Sequence, residues 1–213
     1  MEGIQSRKKV AKKLLDRKPN YEPGSKFVYS NIGYGILGSI VEKFLNKSYD
    51  KIIDEHIFYD LDIKADYKLY YTDIGYAEGH KNNDLLVKEV ELTPLKQNEH
   101  INPRFIEPAG EVYINISDSV KYLQQYLCAY YNKKSLFNKQ IYDEQTKPII
   151  DNYALGWTNT GTVLKHTGSY FCTDTGYKIY MDNNIGIVIN INSYQFIAKT
   201  ITDKFIELFE LYE

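Results

Sequence analysis

Cysteine is nearly absent. Cys128 and Cys172 are the only two in 213 residues, which excludes a disulfide framework, and two thiols cannot alone build a structural zinc site. Long apolar runs are missing too. The most apolar stretch, IGIVINI around residue 187, is far too short to span a bilayer, and the first residues show no charged-then-apolar leader. Neither a membrane segment nor an export signal is expected within this stretch of chain, and its compartment stays open. Net charge is also lacking: 26 basic and 28 acidic residues leave a formal charge of -2, so no global field draws in nucleic acid or an anionic membrane. Only the first helix is locally basic, through Arg7, Lys8, Lys9, Lys12, Lys13, Arg17 and Lys18, and the expectation for it is a solvated face. The four histidines (His56, His80, His100, His166) show no ligand spacing, so neither a metal nor another cofactor is called for.

What is present is apolar area. Hydrophobic residues make up 43% of the chain, enough for one substantial core or for two lobes. The 21 tyrosines combine apolar rings with hydrogen-bonding tips and read as partly buried packing. Residues 7 to 17 have helical spacing (Val10, Ala11, Leu14, Leu15) before PNYEPG breaks it. Asn31 then caps a second helix to about Asn46, with Ile32, Ile36, Ile40, Val41, Phe44 and Leu45 as its apolar stripe. Gly33, Gly35 and Gly38 weaken that helix, so another backbone or side chain is expected to approach its glycine face. Ser48 starts a third helix to about Leu61.

Residues 62 to 107 read as an excursion with short strands (YKLYY, LLVKEVEL) of the kind that often lines a site. A helix follows from Ile116-Ser117-Asp118 to about Tyr131, carrying Val120, Leu123, Leu127 and Cys128 inward. Beyond residue 150, NYALGWTN, TVLKHTG, YKIYMD and IGIVININ form an antiparallel meander, and Phe196 to Leu211 form a covering helix. The fold class is therefore α+β: residues 1–150 are mostly helical, residues 151–213 sheet and helix, with no repeats.

Two polar constellations stand apart in sequence, Tyr29-Ser30-Asn31 and His166-Thr167-Gly168. A tyrosine relays a proton only when cations or a base bring its pKa down from about 10. An asparagine two residues on orients a carbonyl without adding charge. His166 exchanges protons near neutral pH, Gly168 leaves room for a substrate backbone, and the Ser169 N–H can face a developing oxyanion. Together they point to acyl transfer at a cleft between lobes. Singly, each has a plainer reading: a packed Tyr29, a capping Asn31, a strand-end His166.

Longer matches surround both motifs. PGSKFVYSNIGYGILGSIVEKFLNKSYDKIIDEHIFYDLDI resembles the Tyr-x-Asn segment of the penicillin-recognising serine hydrolases, a family with class C β-lactamases, D-alanyl-D-alanine carboxypeptidases and esterases. IEPAGEVYINISDSVKYLQQYL resembles its Pro-Ala-Gly stretch and next helix, and YALGWTN…LKHTG its Gly-x-Gly-Trp strand and Lys/His-Thr-Gly. The resemblance runs from about Tyr21 to Asn192. It implies a β-lactamase-like fold and, through an acyl-serine, transfer or hydrolysis of D-alanyl peptides, β-lactams or esters, with small-molecule or peptide acyl substrates. By it Tyr29 is the proton relay, Asn31 the orienting amide, and Thr167, Gly168 and Ser169 bind substrate and oxyanion. His166 stands where many members have lysine. Histidine there is common in the esterase and peptidase-like branches, which tilts the reading away from an efficient β-lactamase.

The family's nucleophile, the serine of Ser-x-x-Lys, opens a helix well upstream of the tyrosine motif, whereas only 28 residues precede Tyr29. Two short matches occur, Ser6-Arg7-Lys8-Lys9 and Ser48-Tyr49-Asp50-Lys51, and neither is where the resemblance requires it. Ser30 lacks an activating neighbour in sequence and reads as local turn bonding, and Cys172 as a buried thiol. The resemblance thus implies a nucleophile on a missing N-terminal segment or a second chain. The alternative is a non-catalytic binding remnant, or a regulatory module of a penicillin-binding-protein-like enzyme.

Overall fold

Helix α1 (Glu2–Leu15) turns Arg7 and Ala11 inward while Lys8, Lys9, Lys12 and Lys13 face water. The computed structural model to which it belongs describes residues 2–67, 80–81, 104–170, 173–191, 193–194, 204–205 and 207–208. Two compact units emerge. Met1–Leu69, Lys96–Lys121 and Ile149–Asp151 make the first; Tyr70–Leu95, Tyr122–Pro148 and Asn152–Glu213 make the second. The division expected at residue 150 differs from this one, because the helical residues from 122 to 148 pack with the sheet.

In the first unit Arg7 departs from the expected solvated face. It is 2% exposed and ion-pairs with Glu42, also 2% exposed, and with Glu107. Glu42 Oε1 accepts a further bond from the Tyr49 N–H at 3.0 Å. Burial nevertheless raises the Glu42 pKa, against the lowering influence of Arg7. Arg7 Nε and Glu42 Oε2 have no hydrogen-bond partner among the described residues.

Helix α2 (Asn31–Leu45) corrects two expectations. Its cap is Ser30, whose side chain accepts from the Gly33 N–H at 3.0 Å, while Asn31 is the first helical residue. Its inward face is Gly35, Gly38, Ser39 and Glu42. The anticipated stripe is largely exposed: Ile32, Ile40 and Val41 face outward and Phe44 is 86% exposed. The glycines account for this. A Cβ on Gly35 would lie 2.6 Å from the Phe105 carbonyl oxygen, and one on Gly38 would lie 2.3 Å from Pro108 Cγ. The 3-10 turn Arg104–Ala109 thus seats against the helix where side chains are missing, as the glycine run had led us to expect for two of its three positions. Asn46 ends the helix in the left-handed conformation, φ 52°.

Helix α3 (Tyr49–Ile53) continues through a wide π turn, Asp54–Phe58, and a 3-10 turn, Tyr59–Leu61, burying Ile52, Phe58 and Ile63. Helix α4 (Ile116–Tyr130) is capped by Asn115, whose Oδ1 accepts from the Asp118 N–H at 2.8 Å. Asp118 and Ser119 are buried and Val120 is exposed, contrary to expectation. Asp118 takes that place because Lys121, Asn115 and the Lys64 N–H satisfy its carboxylate, and the Lys121 bond leads the lowering of its pKa.

The second unit is built on Leu123, Tyr126 and Ala129 of α4, with Phe137, Trp157, Leu164, Ile179 and Met181. Helix α5 (Lys139–Thr146), capped by Asn138, adds Tyr142. The Tyr126 ring meets Phe137 and Trp157 edge-on, at 4.8 and 4.9 Å between centroids.

A two-residue strand, β1 (His80–Lys81), pairs with β6 (Ser193–Tyr194). The main sheet has the order β2 (Thr158–Asn159), β3 (Val163–Tyr170), β4 (Thr173–Tyr180), β5 (Ile185–Ile191), every neighbour antiparallel. This is the expected meander. Gly186 lies against α4, where a Cβ would make ordinary contact with Leu123 at 3.5 Å. Most of YKLYY, all of LLVKEVEL, Cys172 and most of the helix expected from Phe196 lie outside the described residues. No helix among the described residues is long and apolar enough to cross a membrane.

Candidate active site

Local sequence presents the Tyr29 motif. The Ser25 N–H bonds the Glu22 carbonyl at 3.1 Å, with Pro23 and Gly24 (φ +78°) between them, the chemistry of a type II turn. Ser30 is extended at φ -148°, ψ 103°, and α2 begins. Tyr29 and Asn31 on either side are exposed. Partial burial and the neighbouring Tyr34 both raise the Tyr29 pKa. A relay at neutral pH needs the opposite direction.

The second constellation lies on β3. Side chains alternate along a strand, so Leu164, His166 and Gly168 share one face with Ile179, Tyr177 and Thr175, their partners on β4. Leu164 and Ile179 are fully buried, which makes this the core face, and His166 is half-buried on it. Burial pushes the His166 pKa below its ordinary value. Its Nε2 lies 3.3 Å from the Tyr153 hydroxyl. Gly168 faces open space: a Cβ there would meet nothing within 4 Å.

Backbone direction follows from two hydrogen bonds. The Met181 N–H bonds the Thr162 carbonyl at 2.9 Å, on the β4 side, and the Thr160 N–H bonds the Val163 carbonyl at 3.0 Å, on the β2 side. Successive residues alternate, so the N–H and C=O of residues 163, 165, 167 and 169 point toward the β2 edge. Along β3, strand β2 pairs with Leu164 and Lys165 and no further among the described residues. Thr167 and Ser169 therefore turn their backbone groups toward an edge beyond the end of β2.

Of the nucleophile candidates, Ser30 is engaged as a cap, and Ser48 precedes α3 without a side-chain capping bond, with Lys51 exposed. Ser6 lies on α1 beside the ion-paired Arg7. Cys128 is a half-buried free thiol. Sequence reading missed Tyr153; the signal was its place in the YALGWTN run, which folds back so that Tyr153 bridges Thr158 at the mouth of β2.

A helical unit with Tyr-Ser-Asn at a helix start, and an antiparallel sheet with His-Thr-Gly on a strand reaching past its neighbour, define an α+β protein of β-lactamase-like fold. The chain belongs to the Beta-lactamase family, whose profile matches residues 2–204. It is 24% identical over 192 residues to Protein flp of Staphylococcus aureus strain MW2, covering 86% of this chain and 37% of that protein. It is 26% identical over 184 residues to N-acetylmuramyl-L-alanine amidase of Bacillus subtilis strain 168, covering 74% of this chain and 40% of the amidase. A penicillin binding protein structure from Bacillus halodurans superposes with TM-score 0.71 at 18% identity, covering 93% of this chain and 62% of that one. The chain thus spans 37–40% of the length of these curated relatives.

Proposed function

We propose that the chain carries the proton-handling and substrate-orienting part of an acyl-transfer serine hydrolase acting on D-alanyl peptide, amide or ester substrates. The nucleophile comes from polypeptide outside these 213 residues. The observation that carries this reading is the edge of β3 beyond the end of β2, unpaired among the described residues. The Ser169 N–H faces that edge as an oxyanion donor would, the Thr167 backbone beside it offers a peptide-like substrate a donor and an acceptor, and Gly168 leaves room for its approach. Asn31 orients the acyl group. His166 is neutral at neutral pH because burial lowers its pKa, so it serves as a hydrogen-bonding group and not as a cation.

The raised pKa of Tyr29 favours the division of labour. A relay phenol needs a nearby cation, and the family's lysine would arrive with the nucleophile. The test is intact-mass analysis after exposure to a fluorophosphonate and, separately, a penicillin. The chain alone is expected to take no adduct, whereas the chain joined to a Ser-x-x-Lys segment of a relative takes one per molecule and loses most turnover on Tyr29→Phe. A stoichiometric adduct on Ser6, Ser30 or Ser48 of the isolated chain would overturn the reading, as would full turnover in the Tyr29→Phe enzyme.

A further inference from the structure

Tyr153 is held on both sides. The Asn152 carbonyl accepts from the Asn159 N–H at 2.8 Å, and the Ala154 N–H donates to the Trp157 carbonyl at 2.7 Å. Trp157 is itself buried in the core of this unit. A backbone fixed this way aims the phenol at His166. The hydroxyl lies 3.3 Å from Nε2, and the two rings sit 6.4 Å apart between centroids at 62°. We infer that Tyr153 is a positioning residue for His166: its hydroxyl donates to Nε2 and holds the imidazole as the neutral tautomer with the proton on Nδ1.

Proton affinities set the direction of the bond. A phenol ordinarily loses its proton near pH 10 and an imidazolium near 6.5, so at neutral pH the phenol keeps its hydrogen and the ring nitrogen accepts it. Protonating Nε2 would require the hydroxyl to rotate and accept instead, which opposes formation of the cation. Tyr177 on β4 faces the ring from the cross-strand position, whereas Lys165 and Lys178 project from the opposite face of the sheet. Burial acts in the same sense.

This inference rests on the acyl-transfer reading for the use made of His166, and it sharpens it. With Nε2 accepting, the ring is a neutral hydrogen-bonding group and not a cation, which disfavours a substrate carboxylate at that position. The tautomer can be measured without turnover, so failure of the acyl-transfer reading and failure of this one are separable.

The experiment is nitrogen-15 NMR of the full chain with labelled histidine, the His166 signals assigned by their loss in His166→Gln. At neutral pH, Nε2 is expected to show the shift of an unprotonated ring nitrogen and Nδ1 that of an N–H. In Tyr153→Phe, which keeps the ring, the preference for the Nδ1–H form should fall roughly three- to tenfold, the worth of one hydrogen bond. A wild-type ring protonated at Nε2 overturns the inference without any variant. So does an unchanged tautomer ratio in a Tyr153→Phe protein whose near-ultraviolet circular dichroism matches the parent.

Discussion

Alanine at position 35 and alanine at position 33 should move stability in different directions, and the difference isolates one contact. Both residues lie in α2, and each replacement gains about 0.5–1 kcal/mol of helix propensity and unfolded-state entropy. A Cβ at Gly33 meets only Ser30, at 3.6 Å, an ordinary contact. A Cβ at Gly35 meets the Phe105 carbonyl oxygen at 2.6 Å and the Phe105 ring at 2.7 Å. Backbone cannot rotate away as a side chain can, so α2 and the turn Arg104–Ala109 must separate, at a cost of about 1–3 kcal/mol for overpacking. Subtracting one variant from the other removes the propensity gain and leaves the clash. For a chain of this length, 1 kcal/mol corresponds to about 2–4 °C in Tm, so the two variants should differ by about 2–12 °C, with Gly33→Ala the more stable. Thermal and urea unfolding followed by far-ultraviolet circular dichroism measures this. Equal stability of the two would refute the claim that the glycine face of α2 is filled by that turn.

Two further predictions concern charge. Arg7→Leu strands the Glu42 carboxylate in a buried site, which costs about 3–5 kcal/mol, while Arg7→Leu with Glu42→Leu should recover most of it; a single variant within about 1 kcal/mol of the parent would contradict the buried pairing. For His166 the folded-state pKa lies below the unfolded value of about 6.5, so the unfolded chain binds the proton more readily between the two. The stability contributed by the neutral ring is complete above about pH 6.5 and is lost as pH falls through that value toward the folded pKa. The urea midpoint should therefore drop more between about pH 7.5 and about pH 5 in the parent than in His166→Gln, and equal drops would refute the shift.

Strand patterning made the meander legible, because Leu164, Ile179 and their neighbours obey a two-residue alternation that sequence displays directly. The glycines of α2 were legible for a similar reason: a missing side chain must be filled by something. What filled it was not, since Phe105 and Pro108 come from about 70 residues away. The same gap reversed the helix's apparent polarity, leaving Phe44 outside and Glu42 inside. Arg7 was misread because a charge on an amphipathic helix ordinarily faces water, and its partners Glu42 and Glu107 are supplied only by tertiary structure. Helix α5 went unread for lack of a clear apolar period, although Asn138 marks its start. For the candidate site, residue types were visible and directions were not. The short β2 strand leaves the Ser169 N–H facing an edge that no described residue pairs, and the Tyr153–Thr158 bridge brings a phenol to His166.

The seat of α2 also fixes an angle. Asn31, Gly35, Gly38 and Glu42 are spaced by four, three and four residues, so they fall along one line of the helix. Turning the helix by a single residue, about 100°, would drive Ile36 or Ser39 into the turn that Phe105 and Pro108 occupy. The Arg7–Glu42 pair at the far end of the line resists the same rotation. Asn31 is thereby indexed about the helix axis by contacts one to three turns below it, so a substitution at Gly38 should swing the amide of Asn31 without touching it.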